Sequence, residues 1–342
     1  LLKTSRLAVA WAAAVWAAWV EWAAWTAWEC KCRYACRLKD QTIYEAFESP
    51  AALKRPGLSP GLFSTRDTMK RMNFNQYCLN LQLQNQSGLC VGLDPDLARL
   101  PEPLKNDNAL ACVEQFCKGI IEATASYACA FKPQIAYFAC LAAEPVLEDL
   151  GHWVKKHYPN HLWLLDAKRG DIGATAEQYA TEVFDRYRAD AVTLSPYMGL
   201  DSLTPFLNRD GKGVFLLCRT SNKGGDDLQM QMLNSGLRLF EHVALTAEQQ
   251  WNSKGQIGLV AGATYPDEIA SIRRLAPGLP LLIPGIGAQG GDLPATVKAA
   301  QTNFLINASR SILYASARSD WQQAAAHEAQ ALQAAIEEAR AQ

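Results

Sequence analysis

From residue 72 onward, short apolar runs alternate regularly with longer amphipathic stretches. The runs have the length of buried strands. Eight strands are predicted in this way, over residues 88–94, 128–132, 162–168, 190–194, 213–218, 257–261, 280–284 and 303–307. The stretches between them predict helices because their apolar residues recur at the helical period. Examples are residues 109–126, 175–188 and 235–253.

Strands that alternate with helices pair in parallel through right-handed crossovers. Eight such units in about 270 residues match the size of a closed (β/α)8 barrel, the TIM barrel. An open doubly wound sheet would show the same alternation and stays an alternative from the pattern alone. The predicted fold class is therefore α/β, with a (β/α)8 barrel preceded by an extension that is not part of it.

The first 71 residues differ in composition from the barrel region. Residues 7–28 form an Ala/Trp tract that holds six of the chain's ten Trp residues. Lys3 and Arg6 before it suggest a signal peptide or membrane anchor, although Glu21 leaves the uncharged run short for a membrane span. Trp at every third position suggests an interfacial helix, but such steps spread the rings around most of the helix. A non-native extension is the third interpretation, because the first methionine is Met69.

Residues 49–68 contain Pro, Gly and Ser and predict a linker. We therefore expect a disordered or non-native extension over 1–71 and a folded barrel with a C-terminal helix over 72–342. The tail, residues 320–342, is predicted to be helical from its intrinsic propensity.

The composition of the 342-residue chain narrows the classes of function. Hydrophobic residues make up 49% and charged residues 20%, which allows a substantial core. The formal net charge is −1, so no global charge attracts nucleic acid or an anionic membrane, and any anion site must be local. The five histidines lie in no metal-binding motif, so we predict no metal site.

The ten cysteines do not form the pattern of a disulfide framework. Most stand singly in apolar stretches and predict reduced thiols in the core: Cys112, Cys117, Cys129, Cys140 and Cys218. Cys30, Cys32 and Cys36 cluster without a nearby fourth ligand for zinc. This usage favours a reducing, cytoplasmic compartment.

Polar residues stand at the C-terminal ends of the predicted strands, which form the mouth of a barrel and carry its active site. They are Asp94, Lys132, Asp166, Lys168, Gln289 and Arg310. Residues two apart on a strand point the same way, so Asp166 and Lys168 are expected side by side. The following turn places Asp171 at the start of the next helix, with Thr175 on the same face. A salt-bridged strand end is the alternative interpretation.

Two loops predict a phosphate site. The segment 284–292 contains four glycines, Gly287 among them, that permit close approach of the backbone to an anion. Ser309 and Arg310 follow the eighth strand, and the loops after strands seven and eight are the usual phosphate site of this fold. Arg310 can bind phosphate oxygens in a bidentate way and Gln289 can add a neutral donor. Plain surface turns are the alternative.

The segment D-x-K-x-x-D-I at 166–172 resembles the orotidine-5′-phosphate decarboxylases, and DAKRGDIGAT is similar to their bacterial branch of longer chains. The motif alone is shared with related sugar-phosphate lyases and aldolases, but further motifs of the family occur in order from about residue 74 to about 318. They are VGLDPD (91–96), AFKPQIAYF (130–138), TLSPYMG (193–199), LCRTSNKGG (217–225), VAGATYPDEI (260–269), PGIGAQGGD (284–292) and NASRSILYA (307–315).

The resemblance implies a carboxy-lyase that converts orotidine 5′-monophosphate (OMP) to uridine 5′-monophosphate (UMP) without a cofactor, as the last step of pyrimidine nucleotide synthesis. It implies an alternating charged network of Lys132, Asp166, Lys168 and Asp171 around the reacting carbon. Lys168 would donate the proton to C6 of the pyrimidine, and Asp171 would be supplied across a homodimer interface.

The resemblance also assigns the substrate contacts. Asp94, Lys132 and Thr175 would hold ribose hydroxyls, with Thr175 reaching from the partner subunit. Ser221 would contact the pyrimidine edge from a mobile lid with glycine hinges, residues 219–227. Lys223 stands where many relatives carry proline. An exposed, solvated lysine is expected there, and a cation beside the phosphate is the alternative.

The chemistry requires such a charge layout. Loss of CO₂ from C6 leaves a carbanion with no adjacent carbonyl, so a fixed cation that can also give a proton is needed. Repulsion between Asp166 and the substrate carboxylate supplies only about 4 kcal/mol at about 4 Å and an effective dielectric near 20. Large enzymatic rate enhancements need up to roughly 23 kcal/mol. The remainder is expected from binding of the phosphate, coupled to closure and desolvation.

Two other functions stay open from the sequence. A metal-dependent phosphosugar lyase or aldolase of the same superfamily would carry an additional acidic residue at the mouth and lack the TSN segment at 220–222. A catalytically inactive nucleotide-binding scaffold would have lost a member of the Lys–Asp–Lys–Asp set, and all four are present.

Overall fold

Eight parallel strands close into a barrel in chain order. The computed structural model describes residues 72–286 and 291–342, so the Ala/Trp tract and the predicted linker lie outside the described residues. The strands are β1 Leu89–Leu93, β2 Ala130–Pro133, β3 Leu162–Arg169, β4 Ala191–Leu194, β5 Gly213–Arg219, β6 Ile257–Ala261, β7 Leu281–Pro284 and β8 Phe304–Ala308. Because β8 pairs with β1, the predicted (β/α)8 barrel is confirmed and the open sheet is excluded.

Helices connect successive strands on the outside of the barrel, and further helices precede the first strand or follow the last one. They are α1 Phe74–Asn85, α2 Ala109–Thr124, α3 Ile135–Ala139, α4 Glu144–His157, α5 Gly173–Thr181, α6 Leu200–Leu207, α7 Asp226–Gln229, α8 Leu239–Thr246, α9 Pro266–Leu275, α10 Leu293–Ala300, α11 Arg310–Leu313 and α12 Trp321–Ala341. Single π-helical turns extend α5 over Glu182–Arg186 and α8 over Ala247–Trp251.

Helix α1 closes the end of the barrel at which the strands begin. Its buried Phe74 packs edge-on against Phe215, with ring centroids 6.0 Å apart. Gly213, the first residue of β5, leaves room for this ring, because a Cβ there would lie 2.2 Å from Phe74. Cys78 and Leu81 of the same helix join the apolar cluster of the barrel interior. The opposite end, where the strands finish, remains open.

The predicted C-terminal helix is confirmed as α12, which packs on the barrel wall. Its buried face includes Trp321, Ala325 and Ile336. Trp321 contacts Phe116 of α2, with ring centroids 5.5 Å apart, so α12 is anchored to the outer helical layer.

The cysteines of the described residues are free thiols. Cys112, Cys117, Cys129 and Cys218 are buried in the core as predicted. The prediction was wrong for Cys140, which is exposed because it caps the end of the short helix α3. No helix in the described part of the chain is both long and apolar enough to cross a membrane.

Candidate functional site

A cavity of about 340 Å³ opens at the carboxyl ends of the strands. Its lining is charged on the side of β1 to β3 and apolar on the side of β6 and β7. The lining residues are Asp94, Lys132, Gln134, Tyr137, Asp166, Lys168, Thr193, Val260, Leu282, Pro284, Gly285, Ile286, Asn307, Ser309, Arg310 and Ser311. Side chains from several strands therefore converge on one space large enough for a small organic ligand.

Three of the predicted charged residues meet in this cavity. The Lys132 Nζ atom lies 2.8 Å from Asp166 Oδ2, and the Lys168 Nζ atom lies 2.5 Å from Asp166 Oδ1. Each oxygen of one carboxylate thus accepts a hydrogen bond from a different ammonium group. The arrangement carries a net positive charge, which suits an anionic ligand.

Burial differs across this ion pair network. Lys132 and Asp166 are buried, whereas the Lys168 side chain is 46% exposed and faces the open cavity. Burial acts to raise the pKa of Asp166, but the ammonium groups of Lys132 and Lys168 outweigh it and hold that pKa well below its ordinary value. Burial acts to lower the pKa of Lys132, but Asp166 and Asp94 together raise it. Both groups are therefore charged near neutral pH.

Lys168 reaches the cavity through a local distortion of β3. The register between β3 and β4 shifts between Leu165 and Arg169, and Lys168 has a left-handed backbone with φ of +48°. The simple strand alternation expected from the sequence is therefore interrupted at Lys168. A β-bulge re-aims the side chain at this position.

Asp94 lies on the loop after β1, at the edge of the cavity. Its Oδ1 atom is buried and has no hydrogen-bond partner among the described residues. The Tyr314 hydroxyl holds this loop by donating to the Asp94 carbonyl at 2.8 Å and accepting from the Asp96 N–H at 2.8 Å. An unsatisfied carboxylate oxygen on a fixed loop is suited to accept hydrogen bonds from a hydroxylated ligand.

Ser309 and Arg310 line the cavity at the end of β8, beside Gly285 after β7. Gly92 permits this packing, because a Cβ on Gly92 would lie 1.9 Å from Ser309 Oγ. Arg310 is exposed at the mouth of the cavity, so its guanidinium is accessible to a ligand. Two predicted members of this site, Gly287 and Gln289, lie outside the described residues.

Asp171 and Thr175 do not line the cavity of their own chain. Asp171 precedes α5, which begins at Gly173, so it does not share a helical face with Thr175 as the sequence suggested. Thr175 is exposed. Nearby, Ile172 and Tyr197 are 54% and 85% exposed, an unusual exposure for apolar and aromatic side chains at one rim of the barrel.

The lid segment begins at Arg219, the last residue of β5. The Arg219 guanidinium is buried, donates to Asp226 Oδ1 at 2.6 Å, and lies 4.0 Å from the centre of the Tyr265 ring. Ser221 is half-buried against Gly262 and is not among the residues that line the cavity. Lys223 is exposed, as expected. In the described structure the lid therefore does not cover the cavity.

Sequence reasoning missed three side chains that organise this site: Thr193, Arg219 and Tyr314. Thr193 hydrogen-bonds to Asp166, while the other two hold loops. Each lies in one of the family motifs found in the sequence. The motifs alone, however, do not distinguish a residue that organises the site from one that only stabilises the fold. Within residues 72–286 and 291–342, no group of three or more His, Cys, Asp or Glu side chains is placed to hold a metal ion.

Comparison with known proteins gives a consistent result. Residues 87–329 match the model of the Orotidine 5′-phosphate decarboxylase / HUMPS family. The chain is 54% identical over 276 residues to Orotidine 5′-phosphate decarboxylase of Delftia acidovorans, covering 79% of this chain and all of that protein. It is also 54% identical to the protein of the same name from Paracidovorax citrulli, over 275 residues, with the same coverage.

The comparison with solved structures agrees with the comparison of sequences. The chain resembles the structure of Leishmania donovani OMP decarboxylase with a TM-score of 0.67 and 39% sequence identity. The match covers 79% of this chain and 100% of that one. The likeness therefore spans the whole barrel and both sides of the cavity.

Proposed function

The chain belongs to the Orotidine 5′-phosphate decarboxylase / HUMPS family, and on that premise we propose that it converts OMP to UMP and CO₂. This family contains the orotidine 5′-phosphate decarboxylases and a second group of proteins, named HUMPS. The observation that carries the choice is the 54% identity to a decarboxylase along that protein's entire length. The metal-dependent phosphosugar lyase is not favoured, and neither is the inactive scaffold.

Lys168 is the proton donor in this proposal. Its ammonium group is fixed by Asp166 but remains accessible from the cavity, because almost half of the side chain is exposed. When CO₂ leaves C6, negative charge develops on that carbon, and the ammonium stabilises it and then transfers a proton to it. The lysine becomes neutral in this step and is reprotonated from solvent.

Asp166 and Lys132 hold the proton donor in place. The Lys132 ammonium and the Asp166 carboxylate are buried and joined at 2.8 Å, so the pair is rigid before substrate binds. The Asp166 carboxylate also lies where it can repel the substrate carboxylate, which favours departure of CO₂. No cofactor takes part in the proposed reaction.

The substrate binds across the cavity from ribose to phosphate. The ribose hydroxyls donate to Asp94, whose Oδ1 atom has no partner among the described residues, and accept from the Lys132 ammonium. Arg310 binds the phosphate, together with Gln289 and the backbone at Gly287. A guanidinium can form two parallel hydrogen bonds to phosphate oxygens, which fixes the orientation of the nucleotide.

The lid completes the bound state. Ser221 contacts the pyrimidine edge once the segment 219–227 closes, and closure excludes water from the charged network. Arg219 anchors the base of the lid through Asp226.

Asp171 and Thr175 act in the cavity of a partner subunit. Support comes from their position outside their own cavity and from the exposed Ile172, Tyr197 and Met198 beside them. Burying these side chains in a twofold interface would remove apolar surface from water and bring each Asp171 to the neighbouring site.

Mixing two inactive variants tests the shared site. Lys168→Ala and Asp171→Asn subunits should form hybrids in which one of two cavities is complete. Random pairing then restores roughly a quarter of the wild-type activity. Activity that never rises on mixing under exchange conditions contradicts a shared site.

The catalytic unit comprises residues 72–342 in this proposal, with residues 1–71 as an extension that takes no part in the reaction. The decarboxylases that match 79% of this chain are covered over their full length, which supports this division. The free buried thiols support a reducing, cytoplasmic location.

Release of CO₂ from OMP by the purified full-length chain is the direct test of the activity. The protein should form UMP and CO₂ in equal amounts, and treatment with EDTA should leave the rate unchanged. No turnover of OMP by a folded protein refutes the proposal, and strict dependence on an added divalent metal would favour the alternative lyase.

A further inference from the structure

Thr193 is a buried side chain of β4 that contacts the charged network directly. It is 1% exposed and lies on the strand next to Asp166 and Lys168. Its Oγ1 atom lies 2.9 Å from Asp166 Oδ1. The same Oγ1 atom is 3.0 Å from the Ala167 backbone nitrogen and 2.9 Å from the Lys168 backbone nitrogen.

These three contacts fix the direction of the hydroxyl proton. A threonine hydroxyl has one proton and two lone pairs. The N–H groups of Ala167 and Lys168 can only donate, so they occupy the two lone pairs. The proton therefore points at Asp166 Oδ1, and the hydroxyl is a donor to the carboxylate rather than an acceptor from it.

The same contacts hold the distorted part of β3. The Ala167 and Lys168 N–H groups lie at the bulge, where the regular ladder to β4 is interrupted. Thr193 Oγ1 supplies an acceptor for both. It thereby supports the left-handed backbone of Lys168, which an L-residue with a side chain seldom adopts.

We propose that Thr193 is a positioning residue for decarboxylation, because one hydroxyl joins the Asp166 carboxylate to the backbone that presents Lys168. This inference rests on the proposed function. Thr193 acts through Asp166 and Lys168 and sets the geometry of proton transfer to C6. Binding of the nucleotide depends mainly on the ribose and phosphate contacts and changes little.

Thr193→Val tests the hydroxyl with little change in side-chain shape, and Thr193→Ser restores it. We expect Thr193→Val to lower kcat by about 10²-fold, the loss typical of a misplacement near 1 Å. KM for OMP should stay within about threefold, and Thr193→Ser should recover kcat to within about fivefold of the wild type. If valine prevents folding, Thr193→Ala takes its place in the comparison.

Thr124→Val is the matched control. Thr124 is fully buried in α2, and its hydroxyl donates to the Ile120 carbonyl at 2.7 Å, away from the cavity. Its loss should lower the melting temperature and leave kcat unchanged. The inference is overturned if Thr193→Val keeps kcat within about threefold of the wild type, if Thr193→Ser is as impaired as Thr193→Val, or if the loss falls on KM alone.

Amide hydrogen exchange separates this inference from the proposed activity. In Thr193→Val the N–H groups of Ala167 and Lys168 lose their acceptor, so their exchange should be at least about tenfold faster than in the wild type or in Thr193→Ser. This result is expected even if the wild-type protein does not turn over OMP, an outcome that would contradict the proposed function. Unchanged exchange at both amides overturns the positioning role whatever the activity.

Discussion

Replacing Asp166 by Asn removes the carboxylate that both lysines contact and keeps the size of the side chain. Lys132 then loses its partner at 2.8 Å while it stays buried. At that separation and an effective dielectric near 20, the lost attraction is about 6 kcal/mol. This loss is partly offset because the variant does not have to bury a charged carboxylate. We therefore expect the free energy of unfolding to fall by about 3–5 kcal/mol, the range for breaking a buried ion pair. Lys168 adds little, because water screens its half-exposed side chain.

Thermal unfolding measures this loss. At roughly 2 °C or more per kcal/mol for a domain of this size, the melting temperature of Asp166→Asn at pH 7 should fall by about 6 °C or more. Asp94→Asn is the matched control, because Asp94 lines the same cavity but forms no salt bridge in the described residues. The change in the melting temperature of Asp94→Asn should be less than half of the fall measured for Asp166→Asn.

The contribution of Asp166 to the stability of the fold decreases at low pH. The pKa of Asp166 is lowered by folding, so its contribution to stability is fully present above the unfolded value of about 3.9 and is lost as pH falls through the folded pKa. The difference between wild type and Asp166→Asn should be constant from pH 7 to pH 5 and shrink below about pH 4. A variant that melts at or above the wild-type temperature at pH 7 refutes the reasoning.

Three further predictions address other parts of the molecule. Arg310→Ala should lower kcat/KM for OMP by at least about 10²-fold but leave the slow reaction of orotidine, which lacks the phosphate, unchanged; equal losses on both substrates would contradict a phosphate contact. Arg219→Lys should raise KM for OMP about threefold to tenfold, because lysine cannot keep both the hydrogen bond to Asp226 and the stacking on Tyr265; unchanged kinetics would remove Arg219 from lid anchoring. A chain of residues 72–342 should retain activity within about twofold, and an inactive but folded truncation would show that the extension contributes to the catalytic unit.

Much of the barrel could be predicted because parallel strands are buried on both faces and therefore form continuous apolar runs. The predicted strand 257–261 coincides with β6. Helix α1 was not predicted, because its buried face is partly polar. Gln82 in that helix is buried, and its side-chain amide donates to Asn303 Oδ1 at 2.9 Å. A tertiary partner of this kind has no local signal in the sequence.

The part of the candidate site that could be predicted from the sequence is the part formed by residues near the ends of neighbouring strands. Lys132 and Asp166 lie toward the carboxyl ends of the adjacent parallel strands β2 and β3, so their contact follows from the fold. The bulge at Lys168 does not follow, because it depends on the hydroxyl of Thr193, and threonine in a strand is ordinarily explained by β propensity. Asp171 and Thr175 lie outside the cavity of one chain, and the role proposed for them in a partner's cavity involves a second chain, which the fold of one chain does not contain.

The most direct test of the central claim is the turnover of OMP by Lys168→Ala, measured on protein that binds UMP as tightly as the wild type does. We expect kcat to fall by more than about 10³-fold, because the variant lacks both the cation at C6 and the proton it delivers. Turnover within about tenfold of the wild type would contradict the assignment of Lys168 and with it the proposed mechanism.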